Sequence, residues 1–282
     1  MRGGNVDMAQ SDNFKRTLTI RAFSGALLAA VLLWALWAGG VWWRALSAVI
    51  ALGSLREYYA VHGRFSPLGS AAGYGGAIFI LLSAGTHLQA GMTAVMGLCC
   101  FIAYISELFR RQIKGESNSS QNVMPIVTGL VYTVIPWHCM IQLRMLPFPL
   151  GLSAVLCVFL CTWSCDVMAY LVGSRWGSAR VCPHISPNKS MEGFIGGFAA
   201  SVLCGALCAL CAKFSPLAFI LTGVACGTAG QLGDLAESLM KRERGIKDSG
   251  HIIPGHGGFL DRFDSILFNA LCAWLIWWAA LL

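Results

Sequence analysis

The sequence predicts an all-α fold, a polytopic membrane bundle of about nine transmembrane helices with its N-terminus on the cytoplasmic side. Three observations carry that prediction. Of the 282 residues, 56% are hydrophobic and only 12% are charged, whereas a soluble domain carries about 25% charged residues. Uncharged runs repeatedly reach the roughly 17–25 residues that a helix needs to cross a hydrocarbon core of about 30 Å. Lysine and arginine also alternate between the two sides of those runs, as they do when basic loops stay inside.

In chain order the spans are 22–38, 41–59, 71–87, 90–109, 123–143, 149–172, 194–212, 216–232 and 266–282. The second is the least regular, with Arg44 near one end and Arg56-Glu57 near the other, all placed to snorkel to an interface. The first has too long an apolar core, and no small-residue site after it, for a cleavable signal peptide. With the N-terminus inside, every one of the 20 lysines and arginines except Arg44, Arg144 and Lys213 falls inside, and an even helix count breaks that alternation. This bias explains most of the net charge of +7, which is therefore no sign of nucleic-acid binding. By organisation the chain divides into a polar tail (1–16), a set of N-terminal membrane helices (17–145) and a C-terminal membrane region (146–282) that carries the chemistry. Residues 1–13 read as a mobile polar tail to which no function is assigned. Cys157, Cys161 and Cys165 in one span, and Cys204, Cys208 and Cys211 in another, recur at helical spacing and read as packing residues.

Two stretches on the inside face, 166–197 and 234–264, break the apolar pattern and hold most of the 13 acidic residues. Asp166 lies about two turns before the end of the sixth span, sharing a face with Tyr170 and Gly173. An ionisable residue there is costly unless it meets a cavity, an ion or a partner; the alternative is a carboxylate snorkelling to the interface. The segment 186–193, S-P-N-K-S-M-E-G, reads as the start of a helix, with Ser190 as cap and Glu192 in the first turn. Lys189 beside that N-terminus suits a phosphate, and Gly196-Gly197 admit a neighbouring backbone.

The eighth span carries Gly223, Gly227, Gly230 and Gly233, a stripe suited to close helix packing. If the helix continues, Asp234, Glu237, Ser238 and Lys241 share one face. A glycine- and proline-rich loop follows, in which Gly257-Gly258 would let backbone N–H groups approach phosphate oxygens. Asp261 and Asp264, at i and i+3 where the last helix begins, are spaced to share a metal or an adjacent pair of metals, for which hard carboxylates favour Mg²⁺. The alternative is that they stabilise the helix start and pair with Arg262. No serine or cysteine has the surroundings of an activated nucleophile. An anionic substrate phosphate needs none: metal ions and cationic side chains must instead overcome the repulsion between two anions.

The segment 238–264, S-L-M-K-R-E-R-G-I-K-D-S-G-H-I-I-P-G-H-G-G-F-L-D-R-F-D, resembles the signature of the phosphatidate cytidylyltransferases. So do 166–170 (D-V-M-A-Y), 186–193 and 233–238 (G-D-L-A-E-S), and the multi-span layout extends the likeness over nearly the whole chain. The resemblance implies that CTP and phosphatidate, the latter a membrane lipid, are joined to give CDP-diacylglycerol and pyrophosphate. It implies a need for Mg²⁺, with or without a second cation, at the cytoplasmic face of an inner or plasma membrane. It implies metal binding by Asp234, Asp261 and Asp264, with Asp166 nearby. It further implies phosphate contacts from Lys189, Lys241, Arg242, Lys247 and Arg262, a turn at His256-Gly257-Gly258 that shapes the site, and contributions from Asp248, Ser186, Ser190 and Glu192. Family members often dimerise, which the glycine- and cysteine-bearing spans permit. Ser174 and Ser178 stand where the family often has basic residues, and Ser190 replaces a common threonine but keeps the hydroxyl. The rival functions are a transporter of a phosphorylated solute and a nucleotide-dependent lipid kinase; no internal repeat favours the transporter.

Overall fold

The computed structural model describes residues 3–63, 65–115, 118–212 and 214–281, apart from the side chains of 3–18, 20 and 120. Arg2, Arg64 and Lys213, which entered the charge asymmetry, lie outside the described residues, as do the side chains of Lys15 and Arg16.

The chain runs through α1 (Gly3–Ala38), α2 (Gly40–His62), α3 (Pro67–Ser83), α4 (Met92–Lys114), α5 (Ser119–Gly129), α6 (Ile135–Arg144) and α7 (Leu150–Trp176). A small hairpin of β1 (Arg180–Cys182) and β2 (Ser186–Ser190) follows, then α8 (Met191–Cys211), α9 (Pro216–Ala225), α10 (Gln231–Glu243) and α11 (Leu260–Leu281). Each of the nine predicted spans lies largely on helix among the described residues, although 71–87 overruns the end of α3 at Ser83. Among the described residues seven helical stretches are long and apolar enough to cross a membrane: Arg21–Ala38, His87–Lys114, Gln121–Arg144, Leu150–Trp176, Met191–Cys211, Pro216–Glu243 and Leu260–Leu281. This is an integral membrane protein. The other two segments are α3, apolar but only 17 residues long, and α2, which carries Arg44, Arg56 and Glu57. The expected polar tail does not separate from the first span: the backbone of α1 is helical from Gly3 onward.

Two long helices contain a π-helical turn, Leu130–Val134 between α5 and α6 and Cys226–Gly230 between α9 and α10. Each adds a residue to one turn and so re-aims the face that follows it. The predicted glycine stripe changes partner across the second of these turns. Above it, a side chain at Gly223 would strike the Ser201 carbonyl oxygen of α8 at 2.7 Å; below it, one at Gly233 would strike the Asp264 carbonyl oxygen of α11 at 2.9 Å. Cys157 and Cys161 pack in the buried interior of α7, 3.6 Å apart at sulfur, and Trp43, Trp137, Phe159, Phe219 and Trp277 fill the core.

The bundle has chemically distinct ends. At one, Arg144 Nε donates to the Leu36 carbonyl at the end of α1 (2.9 Å), and Arg44 lies against Met145. At the other are the ends of α2, α7 and α10, the hairpin, the loop after α10 and the starts of α8 and α11. Arg44 and Arg144, two of the three basic residues expected on the outer side, thus sit away from the end where the acidic stretches gather.

Candidate active site

The sequence of 186–193 reads only as the start of a helix; the structure adds a hairpin before it. Its last residue behaves as expected: Ser190 Oγ accepts from Gly193 N at 3.2 Å and caps α8. The carboxylate of Glu192, however, is committed within the chain. It accepts from the backbone N–H of Ser178 (3.1 Å) and Ala179 (3.3 Å) and from the Ser178 hydroxyl. The hydroxyl that replaces an expected basic residue therefore has a structural partner. Lys189, on β2, reaches across to Asp234 of α10 with Nζ 2.5 Å from Oδ2.

Between α7, the hairpin, α8 and α10 lies a cleft of about 590 Å³ lined by Asp166, Tyr170 and Gly173, the face predicted from their spacing, and by Arg180, Lys189, Ser190 and Asp234. A smaller cleft of about 320 Å³, walled almost wholly by polar atoms, is lined by Asp166, Asp234, Lys241, Asp248, Asp261, Arg262, Asp264 and Ser265. Asp166 and Asp234 belong to both, so the two spaces meet. Asp166, Asp234 and Asp264 lie within electrostatic reach of one another. Arg262 is exposed to the small cleft and makes no ion pair among the described residues.

Asp261 takes a different part from Asp264. Its two oxygens accept from Gly258 N (2.8 Å), Ser249 N (2.9 Å) and Lys241 Nζ (2.8 Å), and Lys241 also pairs with buried Glu237. The i, i+3 spacing that suggested a shared metal thus sends one carboxylate back into the loop and leaves the other with Asp166 and Asp234. Among the described residues no three His, Cys, Asp or Glu side chains are grouped to hold a single ion.

Gly257 and Gly258 also serve the protein's own carboxylates. Gly257 has φ of 81°, and a Cβ there would lie 2.6 Å from Asp261 Oδ2; one at Gly258 would lie 2.3 Å from Glu57 Oε2. Glu57 of α2, expected to snorkel, is instead buried and accepts from Leu260 N (2.8 Å) and Phe259 N (3.0 Å), the donors left unsatisfied at the start of α11. A second tie comes from α1, where Ser24 Oγ lies 2.8 Å from His256 Nδ1 and 3.0 Å from the Pro254 carbonyl oxygen. Partial burial, together with Arg262 and Arg21, holds the His256 imidazole below its ordinary pKa.

Of the residues singled out from sequence, Asp166, Lys189, Ser190, Asp234, Lys241, Asp248, Asp261, Arg262 and Asp264 line the clefts. Ser186, Glu192, Arg242, Lys247, His256, Gly257 and Gly258 do not. Arg242 ties the hairpin to the loop by donating to the carbonyls of Ile185 (3.2 Å) and Ile246 (3.3 Å), and Lys247 is exposed. Sequence reading missed Glu57, Ser24 and Ser249. For Glu57 the signal was present: an acid inside an otherwise apolar helix wants a partner.

Comparison with known proteins fits this arrangement. The cytidylyltransferase family model matches residues 19–280, so it takes in both the loop-bearing helices and the N-terminal helices that hold the loop. A phosphatidate cytidylyltransferase of Bacillus subtilis (strain 168) is 32% identical over 255 residues, 88% of this chain and 93% of that protein. One from Staphylococcus aureus (strain COL) is 48% identical over 120 residues, 42% of this chain and 46% of its own length, so the match spans about half of that relative. One from Synechocystis sp. is 45% identical over 125 residues, 44% of this chain and 42% of that protein. With the family model covering all but the ends and one relative matching nearly end to end, the chain belongs to the cytidylyltransferase family.

Proposed function

We propose that this protein transfers the cytidylyl group of CTP to phosphatidate, forming CDP-diacylglycerol and pyrophosphate for phospholipid synthesis. The observation that carries the reading is the meeting of an almost wholly polar cleft with a larger one on a membrane-spanning helix, where the lining residue Tyr170 is 75% exposed. A nucleoside triphosphate stays in water while phosphatidate keeps its chains in the bilayer, so their union needs a site open to both.

A phosphate oxygen of phosphatidate attacks the α-phosphorus of CTP. The bond from that phosphorus to the oxygen bridging to the β-phosphate breaks, and pyrophosphate leaves with the electron pair. Because the attacking oxygen is already anionic, the chain's task is alignment and charge, not proton removal. Arg262 in the small cleft and Lys189 and Arg180 in the larger one bring positive charge to the two sides of the junction. Lys241 is held between Glu237 and Asp261 and keeps the wall of the polar cleft in place.

The small cleft nevertheless has five aspartates against one lysine and one arginine, an excess of negative charge that repels a triphosphate. That donor set fits Mg²⁺, which takes one or two carboxylates together with phosphate and water oxygens, so one or two of Asp166, Asp234 and Asp264, not all three at once, would hold it. Bound there, with or without a second cation, it would neutralise the phosphates and polarise the phosphorus–oxygen bonds. The distribution of lysine and arginine supports a site facing the cytoplasm of an inner or plasma membrane.

The test is release of labelled pyrophosphate from γ-labelled CTP by purified protein in detergent with phosphatidate and Mg²⁺. Lipid-dependent release supports the reading. A nucleoside diphosphate product would mean a kinase, and no product from folded protein with any nucleotide would return the transporter.

A further inference from the structure

We propose that Glu57 is a positioning residue for cytidylyl transfer, holding the loop after α10 and the start of α11 so that Asp261 and Lys241 form the wall of the polar cleft; this rests on the function proposed above. Glu57 lies on α2, 202 residues from Phe259, in the half of the chain that carries no signature motif. Glu57 is only 4% exposed, and no lysine or arginine pairs with it among the described residues. An unpaired buried charge is costly, so its compensation must come from elsewhere. It comes from the first N–H groups of α11, at Phe259 (3.0 Å) and Leu260 (2.8 Å), which also present the positive end of the helix dipole, and from the Ser249 hydroxyl at 3.4 Å.

From Glu57 the contacts lead to the cleft in two short steps. Ser249, which donates its hydroxyl to Glu57, donates its backbone N–H to Asp261 (2.9 Å). Gly258, packed on Glu57, donates its N–H to the same Asp261 oxygen (2.8 Å). Asp261 in turn holds Lys241 at 2.8 Å, and both line the small cleft. Two glycines are shaped to this carboxylate: a Cβ at Gly250 would lie 2.6 Å from Glu57 Oε1, and one at Gly258 2.3 Å from Oε2. A glutamine at position 57 keeps the size but turns an NH₂ group toward one of the N–H donors, so it loses an acceptor as well as the charge.

The experiment compares the full chain in detergent as wild type, Glu57→Gln, Glu57→Ala, Gly258→Ala and the Glu57→Ala/Gly258→Ala double variant. It reads hydrogen exchange along the chain and steady-state kinetics. Glu57→Gln is expected to speed exchange at 249–260 by about 10-fold or more while the other helices stay protected. The same variant is expected to lower kcat by about 100-fold, the scale of a small misplacement, with KM for phosphatidate unchanged. Gly258→Ala is expected to reproduce both effects, and the double variant to be no worse than Glu57→Ala alone, because the methyl enters space the carboxylate has vacated. Wild-type exchange at 249–260, unchanged kcat, strictly additive variants, or a uniform loss of protection throughout the chain would each overturn the proposal. If the wild type releases no pyrophosphate, the reaction reading fails and the catalytic consequence with it. The local exchange pattern then shows that failure to be separate from the hold of Glu57 on the loop.

Discussion

Replacing Asp261 by alanine removes more than a catalytic candidate. The Asp261 side chain is 3% exposed and closes three hydrogen bonds, from Lys241 Nζ (2.8 Å), Gly258 N (2.8 Å) and Ser249 N (2.9 Å). A buried backbone N–H left without an acceptor costs about 1–3 kcal/mol. Breaking a buried ion pair costs about 3–5 kcal/mol, tempered here because Lys241 keeps Glu237. These terms overlap, so Asp261→Ala is expected to lose about 3–5 kcal/mol in all, a fall in the thermal midpoint on the order of 10 °C. The assay is thermal unfolding in detergent followed by tryptophan fluorescence, alongside pyrophosphate release measured well below the variant's midpoint. Activity should vanish and stability should fall together. A variant that unfolds at the wild-type midpoint would refute the assignment of Asp261 to the loop, and would return it to the cleft as a free ligand.

Asp234→Asn should separate the two effects: its pair with Lys189 is about a third exposed on both sides and so contributes only about 0–1 kcal/mol, whereas pyrophosphate release should fall at least about 100-fold; equal losses of stability and activity would count against it. Ser190→Ala removes the cap of α8 and should cost about 1 kcal/mol with modest change in kcat, read from the same melts. Titrating Mg²⁺ against chelator should switch activity on and off reversibly, and full activity in chelator would remove the metal from the mechanism. Because the pKa of His256 is lowered in the folded chain, the neutral imidazole is the form the fold favours. Its contribution is present above the ordinary imidazole pKa of about 6.5 and is lost as pH falls through the lowered value. Protection at 253–257, taken relative to the intrinsic exchange rate at each pH, should therefore fall as the pH is lowered below that point, and His256→Asn should flatten the dependence.

The positions of the helices were legible because they depend on local quantities. Bilayer thickness sets the length of an apolar run, the 3.6-residue period places Asp166, Tyr170 and Gly173 on one face, and Ser190 caps the helix that its neighbours begin. The cleft-lining aspartates were also marked, since acids amid apolar residues need a reason. Less legible was the division of labour among them. Asp261 and Asp264 are alike in sequence, and only the loop folding back over α11, together with Lys241 of α10, gives one of them three protein donors.

The sequence by itself therefore determined the membrane bundle, the end at which its chemistry gathers and the family to which the signature loop points. Those follow from composition, period and a contiguous motif. Tertiary structure decided which carboxylates are open to a ligand and which are spent inside the protein. It also revealed that Glu57 and Ser24, far away in the chain, hold that loop. The physical reason is that a carboxylate's role depends on the donors brought within about 3 Å of it, and packing between distant helices, not local spacing, chooses those donors.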